Sequence, residues 1–292
     1  MTPSELDRVR HRLEEFFAYC FDGMGRSERR AALSTYLRGL LLDGLRKCMM
    51  PMARRLTNDQ SKVAATRERI HEAVTAANWD EAELYRRLAI RVSKKLPGIE
   101  AFVLDDTGFA KKGRHSAGVH RQYSGTLGRV DNCQVATSLH LASESGGACV
   151  GAQLFLPQAS ADAPERRKKA GIPDDIEHQP KWKIGLNLLE RALDWGMASH
   201  VVLADSGYGD CTAIRQALED RDLGYVVGVS SGMSVWPPGV CPTPPPPRKA
   251  NAGVGRPKVR WTAPEGQLAV SLEILAETMP ASYFRKVTWN KG

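Results

Sequence analysis

Up to about residue 96 the apolar positions recur with helical spacing. The stretch "LSTYLRGLLLDGLRKCMM" (33–50) is long and apolar-rich until Pro51 interrupts it. Thr57 with Gln60 offers a capping box for a helix running on through "NDQSKVAATRERIHEAV" (58–74). In "NWDEAELYRRLAIRVSKKLPG" (78–98), Leu84, Leu88, Val92 and Leu96 follow at four-residue steps. Asn78 or Asp80 can open that helix, and Pro97-Gly98 closes it.

Beyond Pro97 the period shortens. "AFVLDD" (101–106), "NCQVATSLHLAS" (132–143) and "ACVGAQLFLP" (148–157) read as strands, the last two forming a hairpin around "ESGG" (144–147). A helix follows over "KWKIGLNLLERALDWG" (181–196), with Ile184, Leu188, Ala192 and Trp195 on one side and Gly196 as its stop. "HVVLADSG" (200–207) is a short apolar strand ending in Asp205. Asp210 can cap a helix through "AIRQALEDRD" (213–222), and "LGYVVGVS" (223–230) is a fifth strand. The order is βββαβαβ behind a helical region. From Met233 the texture breaks into the proline-rich "WPPGVCPTPPPPRKANAGVGRPK" (236–258), which reads as a connector, with strand-like "KVRWTA" (258–263) and "FRKVTWNKG" (284–292) around and after it. No internal repeat is present.

Composition narrows the class. Apolar residues make up 42% and charged residues 25%, as in soluble globular proteins. No apolar run approaches the ~20 residues of a membrane span, and the charged N-terminus has no signal-peptide core. The six cysteines (20, 48, 133, 149, 211, 241) show no metal-binding spacing, so reduced thiols in the cytoplasm are expected. The net charge of +8 favours a polyanionic partner.

The chemistry gathers where acid ends an apolar run. "LDDTG" places Asp105 and Asp106 after Phe102-Val103-Leu104, and "LADSG" repeats the pattern at Asp205. Either stretch alone could be a capped turn. If the strand carrying Asp205 pairs alongside the strand carrying Asp106, both carboxylates emerge at one edge of the sheet, where open α/β sheets bind ligands. Two carboxylates ~4 Å apart repel by about 4 kcal/mol at an effective dielectric near 20, and a shared proton or a divalent cation offsets that. Mg²⁺ or Mn²⁺ suits such oxygen ligands and takes phosphate oxygens as well. Lys111, Lys112, Arg114 and Arg121 would then meet the backbone of a bound nucleic-acid strand. His115 and His120 read as ordinary surface or loop residues, His140 as equally unremarkable, and Trp182 as packing at a helix start.

The segment "FVLDDTGFAKKGRHSAGVHRQYSGTLGRVDNCQVA" (102–136) closely resembles the first catalytic segment of DDE transposases from bacterial insertion sequences. "VVLADSGYGD" (201–210) resembles their second, and "YLRGLLL" with "NWDEAELYRRL" resembles their N-terminal helical region. The resemblance implies an RNase H-like mixed sheet preceded by an all-helical domain. It implies a helical, DNA-binding domain over 1–97, a catalytic core over 98–232, and the start of a β-rich insertion over 233–292. It maps the first catalytic, metal-binding Asp to Asp106 and the second to Asp205, which leaves Asp105 structural. The partner implied is double-stranded DNA, at element ends and target, cut and joined with Mg²⁺ or Mn²⁺ in the bacterial cytoplasm at the nucleoid, without a membrane. A homodimer or association with a full-length copy is the assembly implied.

The family's third acid is a Glu on a helix after the insertion, and residue 292 falls inside that insertion. The expectation is therefore an N-terminal portion with little strand-cleaving activity by itself; Glu273 and Glu277 are poor substitutes. Two rivals stand beside it. A DNA-binding regulator that dampens transposition needs only the helical domain and the basic surface. A nucleotide-binding α/β enzyme is hinted at by Gly-x-Gly at Gly207 and Gly209, with Thr212 where a third glycine belongs.

Overall fold

The computed structural model describes residues 2–76, 80–245, 261–263 and 267–286. The chain forms two compact units, Met1–Val201 and Val202–Gly292.

The first unit begins with helices. Helix α1 (Pro3–Phe21) starts with a capping box between Thr2 and Glu5, and buries Phe17, Cys20 and Phe21 with Met24, Leu33 and Ala73. Helix α2 (Ser27–Leu41) stops well before Pro51, near Gly44, which takes a φ of 141° that side chains rarely adopt. Pro51 instead sits in the first turn of α3 (Met49–Leu56), where its missing N–H costs no intrahelical bond. The expected Thr57–Gln60 box is replaced by Asp59, whose carboxylate accepts the Ser61 amide at the head of a 3₁₀ turn, Gln60–Lys62, that leads into α4 (Val63–His71).

Helix α5 (Glu81–Lys95) is opened by Asp80, which accepts the Glu83 amide; Asn78 lies outside the described residues. Its Leu84, Leu88 and Val92 are only half-buried, and Ala89 is its fully buried position. The helix is tied to α1 by Arg87, which donates to the Tyr19 carbonyl at 3.0 Å and pairs with Glu83 at 2.7 Å.

The sheet of this unit is an antiparallel set. Strand β1 (Ala101–Ala110) pairs along its whole length with the long β3 (Arg129–Ser143). On the other side of β3 lie β2 (His120–Ser124) and β4 (Gly146–Leu154), the latter closing the expected hairpin. Two short helices, α6 (Gln158–Ala161) and α7 (Pro164–Ala170), lead to α8 (Lys181–Asp194), which buries Ile184, Leu188, Leu189 and Ala192. Gly151 of β4 leaves room for Leu188: a Cβ there would stand 3.2 Å from Leu188 Cδ2 and 4.0 Å from Leu139 Cβ. Helix α8 therefore covers the face that carries Leu139 and, by alternation along β3, Thr137 and Leu141.

The second unit opens with β5 (Val201–Ala204), the short α9 (Ser206–Gly209), α10 (Thr212–Glu219) and β6 (Tyr225–Val227), parallel to β5. The helical crossover with buried Ile214 and Leu218 is what a parallel pair requires. Asp210 does not cap α10, whose N-cap is Cys211; its carboxylate accepts the Ser230 amide at 2.8 Å, which holds it below the usual carboxylate range. A two-residue pair, β7 (Ser234–Val235) with β8 (Val270–Ser271), precedes α11 (Leu272–Thr278), where Glu273 and Glu277 are exposed. Thr262 bridges to Thr243. Residues 284–286 form no strand, while 246–260 and 287–292 lie outside the described residues.

The succession β1, β3, β4, α8, β5, α10, β6 is the βββαβαβ order read from the sequence, in a mixed α/β chain with helices ahead of it. Strand β2 is an addition that the pattern did not predict.

Candidate active site

Asp106 is not at the tip of its strand. Strand β1 continues for four more residues to Ala110, so "LDDTG" is extended backbone and no turn forms there. Aspartate is a poor strand former, and two in succession need a reason to be tolerated. For Asp105 the reason is exposure, and its carboxylate accepts the Asp106 amide at 2.7 Å.

For Asp106 the reason is partnership. It sits opposite Thr137 in the β1–β3 register and so shares the α8-covered face with Phe102 and Leu104, both buried. The hydroxyl of Thr137, a fully buried residue, donates to Asp106 Oδ1 at 3.1 Å. The ammonium of Lys181, the first residue of α8, donates to Asp106 Oδ2 at 2.7 Å. The ion pair is about two-thirds shielded, with side-chain exposures of 32% for Lys181 and 26% for Asp106.

The opposite face carries the backbone contact of Asp105, whose carbonyl accepts from Ser138 at 3.1 Å, and His140, 3.1 Å from the Ser138 hydroxyl. Burial pushes His140 below its ordinary value against the pull of Asp105.

Asp205 follows β5 directly and caps α9, accepting the Gly207 amide at 2.9 Å while its residue remains exposed. Gly209 shows why the motif is glycine-rich: a Cβ there would fall 1.8 Å from the Gly228 carbonyl oxygen. Gly209 thus serves close packing of a four-residue helix, α9, beside β6, whereas a Cβ at Gly207 would meet only the Asp205 carboxylate. Asp106 belongs to the first unit and Asp205 to the second.

The basic residues Lys111, Lys112 and Arg114 lie exposed on the loop after β1. That loop is held by side chains the sequence reading passed over. Asn132 Nδ2 donates to the carbonyls of Lys111 (2.5 Å) and Gly113 (3.0 Å), and Gln134 donates to Ala117 at 2.6 Å. Arg166 adds a bond to the Val119 carbonyl. Arg121 on β2 is exposed as well, but it pairs with Asn132, which places it on the sheet face opposite Asp106. Thr137 and Lys181 were also missed. Period-two alternation from a known register would have found Thr137, but the inserted β2 hides that register in the sequence.

A half-buried carboxylate in the middle of a strand, set between a hydroxyl and an ammonium, marks an acidic site on the first unit. The chain belongs to the DDE superfamily endonuclease family, whose model matches residues 19–292. The probable transposase for insertion sequence element IS701 of Microchaete diplosiphon is 28% identical over 190 residues, 63% of this chain and 47% of that protein. The chain therefore spans about half the length of the curated relative it matches. Among solved structures, the Mos1 transposase paired-end complex with left transposon end is similar at 15% identity and a TM-score of 0.25, covering 69% of this chain and 59% of that one. The Mos1 strand transfer complex gives 16% and 0.24, over 70% and 60%. No helix among the described residues is long and apolar enough to cross a membrane.

Proposed function

We propose that this chain takes part in DNA transposition, hydrolysing and transferring phosphodiesters at element ends, with Asp106 and Asp205 as the acids that hold divalent metal. The observation that carries the reading is Asp106. In a chain of the DDE family, this carboxylate is oriented in mid-strand by Thr137 and Lys181. Its hard oxygens, with those of Asp205 at the end of a second strand, are the donor type that Mg²⁺ or Mn²⁺ prefers. When bound, such ions polarise the phosphodiester and activate the attacking water or hydroxyl.

The chain's own residues supply placement. Thr137 and Lys181 hold Asp106, and the turn of α9 holds Asp205. The clamped loop presents Lys111, Lys112 and Arg114 to phosphates of double-stranded DNA, with Arg121 reaching them from the other face. Among the described residues no group of three or more His, Cys, Asp or Glu side chains is arranged for a metal. Two carboxylates grip a cation less firmly than three, so cleavage by this chain by itself is expected to be slow. Such work takes place in the bacterial cytoplasm at the nucleoid, in a homodimer or with a full-length copy.

The test is nicking of a supercoiled plasmid carrying the element ends. Metal-dependent nicking that is lost in both Asp106→Asn and Asp205→Asn supports the reading. Metal-independent hydrolysis, or nicking that survives both changes, overturns it. Salt-sensitive DNA binding without any acid-dependent nicking would instead favour a DNA-binding regulator.

A further inference from the structure

Lys181 occupies a position that neither the acids nor the basic loop accounts for. Its Nζ is 2.7 Å from Asp106 Oδ2 and 5.4 Å from the centroid of the Phe155 ring. Phe155 stands edge-on to His178, with ring centroids 5.6 Å apart, and His178 Nδ1 lies 2.8 Å from the Leu156 carbonyl oxygen. The lysine's backbone is fixed as well, because it opens α8, whose Leu188 is seated on Gly151. Both ends of this side chain are therefore positioned, by a helix start at one and an aromatic face and a carboxylate at the other.

A shielded carboxylate needs positive charge or hydrogen bonds; Thr137 donates to Oδ1 and the Lys181 ammonium to Oδ2. A divalent ion must approach such an oxygen to about 2.1 Å. An ammonium at 2.7 Å on the same oxygen stands in that path, and the two cations repel.

We propose that Lys181 is a positioning residue that keeps the Asp106 carboxylate in place before metal arrives and yields Oδ2 to the incoming divalent cation. Metal uptake is then an exchange: Nζ leaves Oδ2 and the cation takes its place, with no change in covalent bonding. The ion pair lowers the protein's apparent affinity for the metal, because each binding event must displace it. This inference rests on Asp106 being a metal ligand.

The experiment is titration of the DNA-free 292-residue chain with Mn²⁺, read by electron paramagnetic resonance. The proteins compared are wild type, Lys181→Met, Lys181→Arg, Asp106→Asn and the Lys181→Met/Asp106→Asn double variant. Methionine keeps the unbranched stem against Phe155 and removes the charge; Lys181→Gln replaces it if circular dichroism shows that the methionine variant does not fold. The exchange predicts that Lys181→Met binds Mn²⁺ roughly fivefold more tightly than wild type, an effect the size of one partly screened ion pair. Lys181→Arg should stay near wild type, and the double variant should lose the gain.

A Lys181→Met affinity equal to or weaker than wild type, with binding still abolished by Asp106→Asn, would overturn the exchange and leave Lys181 a structural partner. Binding that Asp106→Asn leaves unchanged, or no binding by any of the proteins, would overturn the metal-ligand reading of Asp106 and this inference with it.

Discussion

Asp105 and Asp106 are neighbours in sequence and stand on opposite faces of one strand. Asp105 is solvent-exposed and accepts the amide of Asp106, whereas Asp106 faces inward to Thr137 and Lys181. Two identical side chains one position apart are thereby given different chemistry by strand alternation alone. On the metal-binding role proposed for Asp106, Asp106→Asn is expected to reduce metal-dependent strand cleavage by at least the roughly 100-fold that loss of a ligand's supporting partner costs. Asp105→Asn should leave it within about threefold, because that carboxylate lies on the other face. Plasmid nicking rates of the two variants, measured in parallel with Mn²⁺, decide the matter.

Thr137 tests the hydroxyl side of the same carboxylate. Thr137→Val preserves shape at a fully buried position and removes the donor to Asp106 Oδ1. The expected cost is about 1.5–3 kcal/mol in urea unfolding, the range for a hydrogen bond to an ion-paired carboxylate. A variant as stable as wild type would mean that the Asp106 carboxylate is satisfied without Thr137.

Glu83 links stability to acid. Hydrogen bonds from Arg86 and Arg87 lower its carboxyl to about 2 from an ordinary 4.5. A carboxylate depressed in the folded state stabilises above its unfolded value, and that contribution disappears as pH falls from 4.5 toward about 2. The Glu83 side chain is 30% exposed, so solvent screening keeps the effect of Glu83→Gln at neutral pH below about 1 kcal/mol. Melting curves of wild type and Glu83→Gln should differ at pH 7 and converge near pH 2.

Much of this could be read in the chain, and the misses have physical causes. The order of strands and helices from Ala101 to Val227 follows from the apolar runs and their periodicity, even though the short β5 and β6 bury little of theirs. The end of α2 was misplaced because Pro51 looks like a breaker, whereas a proline in a first turn is harmless and the break lies near Gly44. Two aspartates usually stop a strand, so the acid motif reads as a strand end, yet β1 continues to Ala110. Strand β1 runs on because Thr107 and Phe109 pair with β3 while Gly108 makes room for Ser124, whose Oγ would be 2.1 Å from a Cβ at that position. The acids themselves were legible, but the partners of Asp106 were not. Lys181 lies 75 residues away, and a lysine at a helix start carries no signal of its own.

Gly209 separates packing from ligand binding in the second motif. Its Cβ-less backbone lies under the Gly228 carbonyl, so Gly209→Ala must push backbone apart. A destabilisation of about 2–3 kcal/mol is expected, in the upper range for overpacking. Gly207→Ala meets only the Asp205 carboxylate, at 3.1 Å, and should cost less. Chemical denaturation of the two variants gives the comparison; equal effects would remove the packing explanation for this glycine pair.

The basic loop makes the last prediction. Lys111, Lys112 and Arg114 are exposed on a segment pinned by Asn132 and Gln134, so they present charge from a fixed backbone. Each phosphate contact releases counterions, and the slope of log affinity against log salt changes by about 0.9 per contact on duplex DNA. Lys111→Ala, Lys112→Ala and Arg114→Ala should therefore each flatten that slope by about 0.9 and weaken binding to any sequence alike. Arg121→Ala, on the face away from Asp106, should flatten it less, because a duplex lying on the acidic face meets that guanidinium only by wrapping the sheet end. Asn132→Ala carries no charge change, yet it frees the carbonyls of Lys111 and Gly113 and should weaken binding while leaving the slope near that of wild type. Fluorescence anisotropy across a salt series distinguishes these outcomes, and an unchanged slope in all three loop variants would take the DNA path away from this loop.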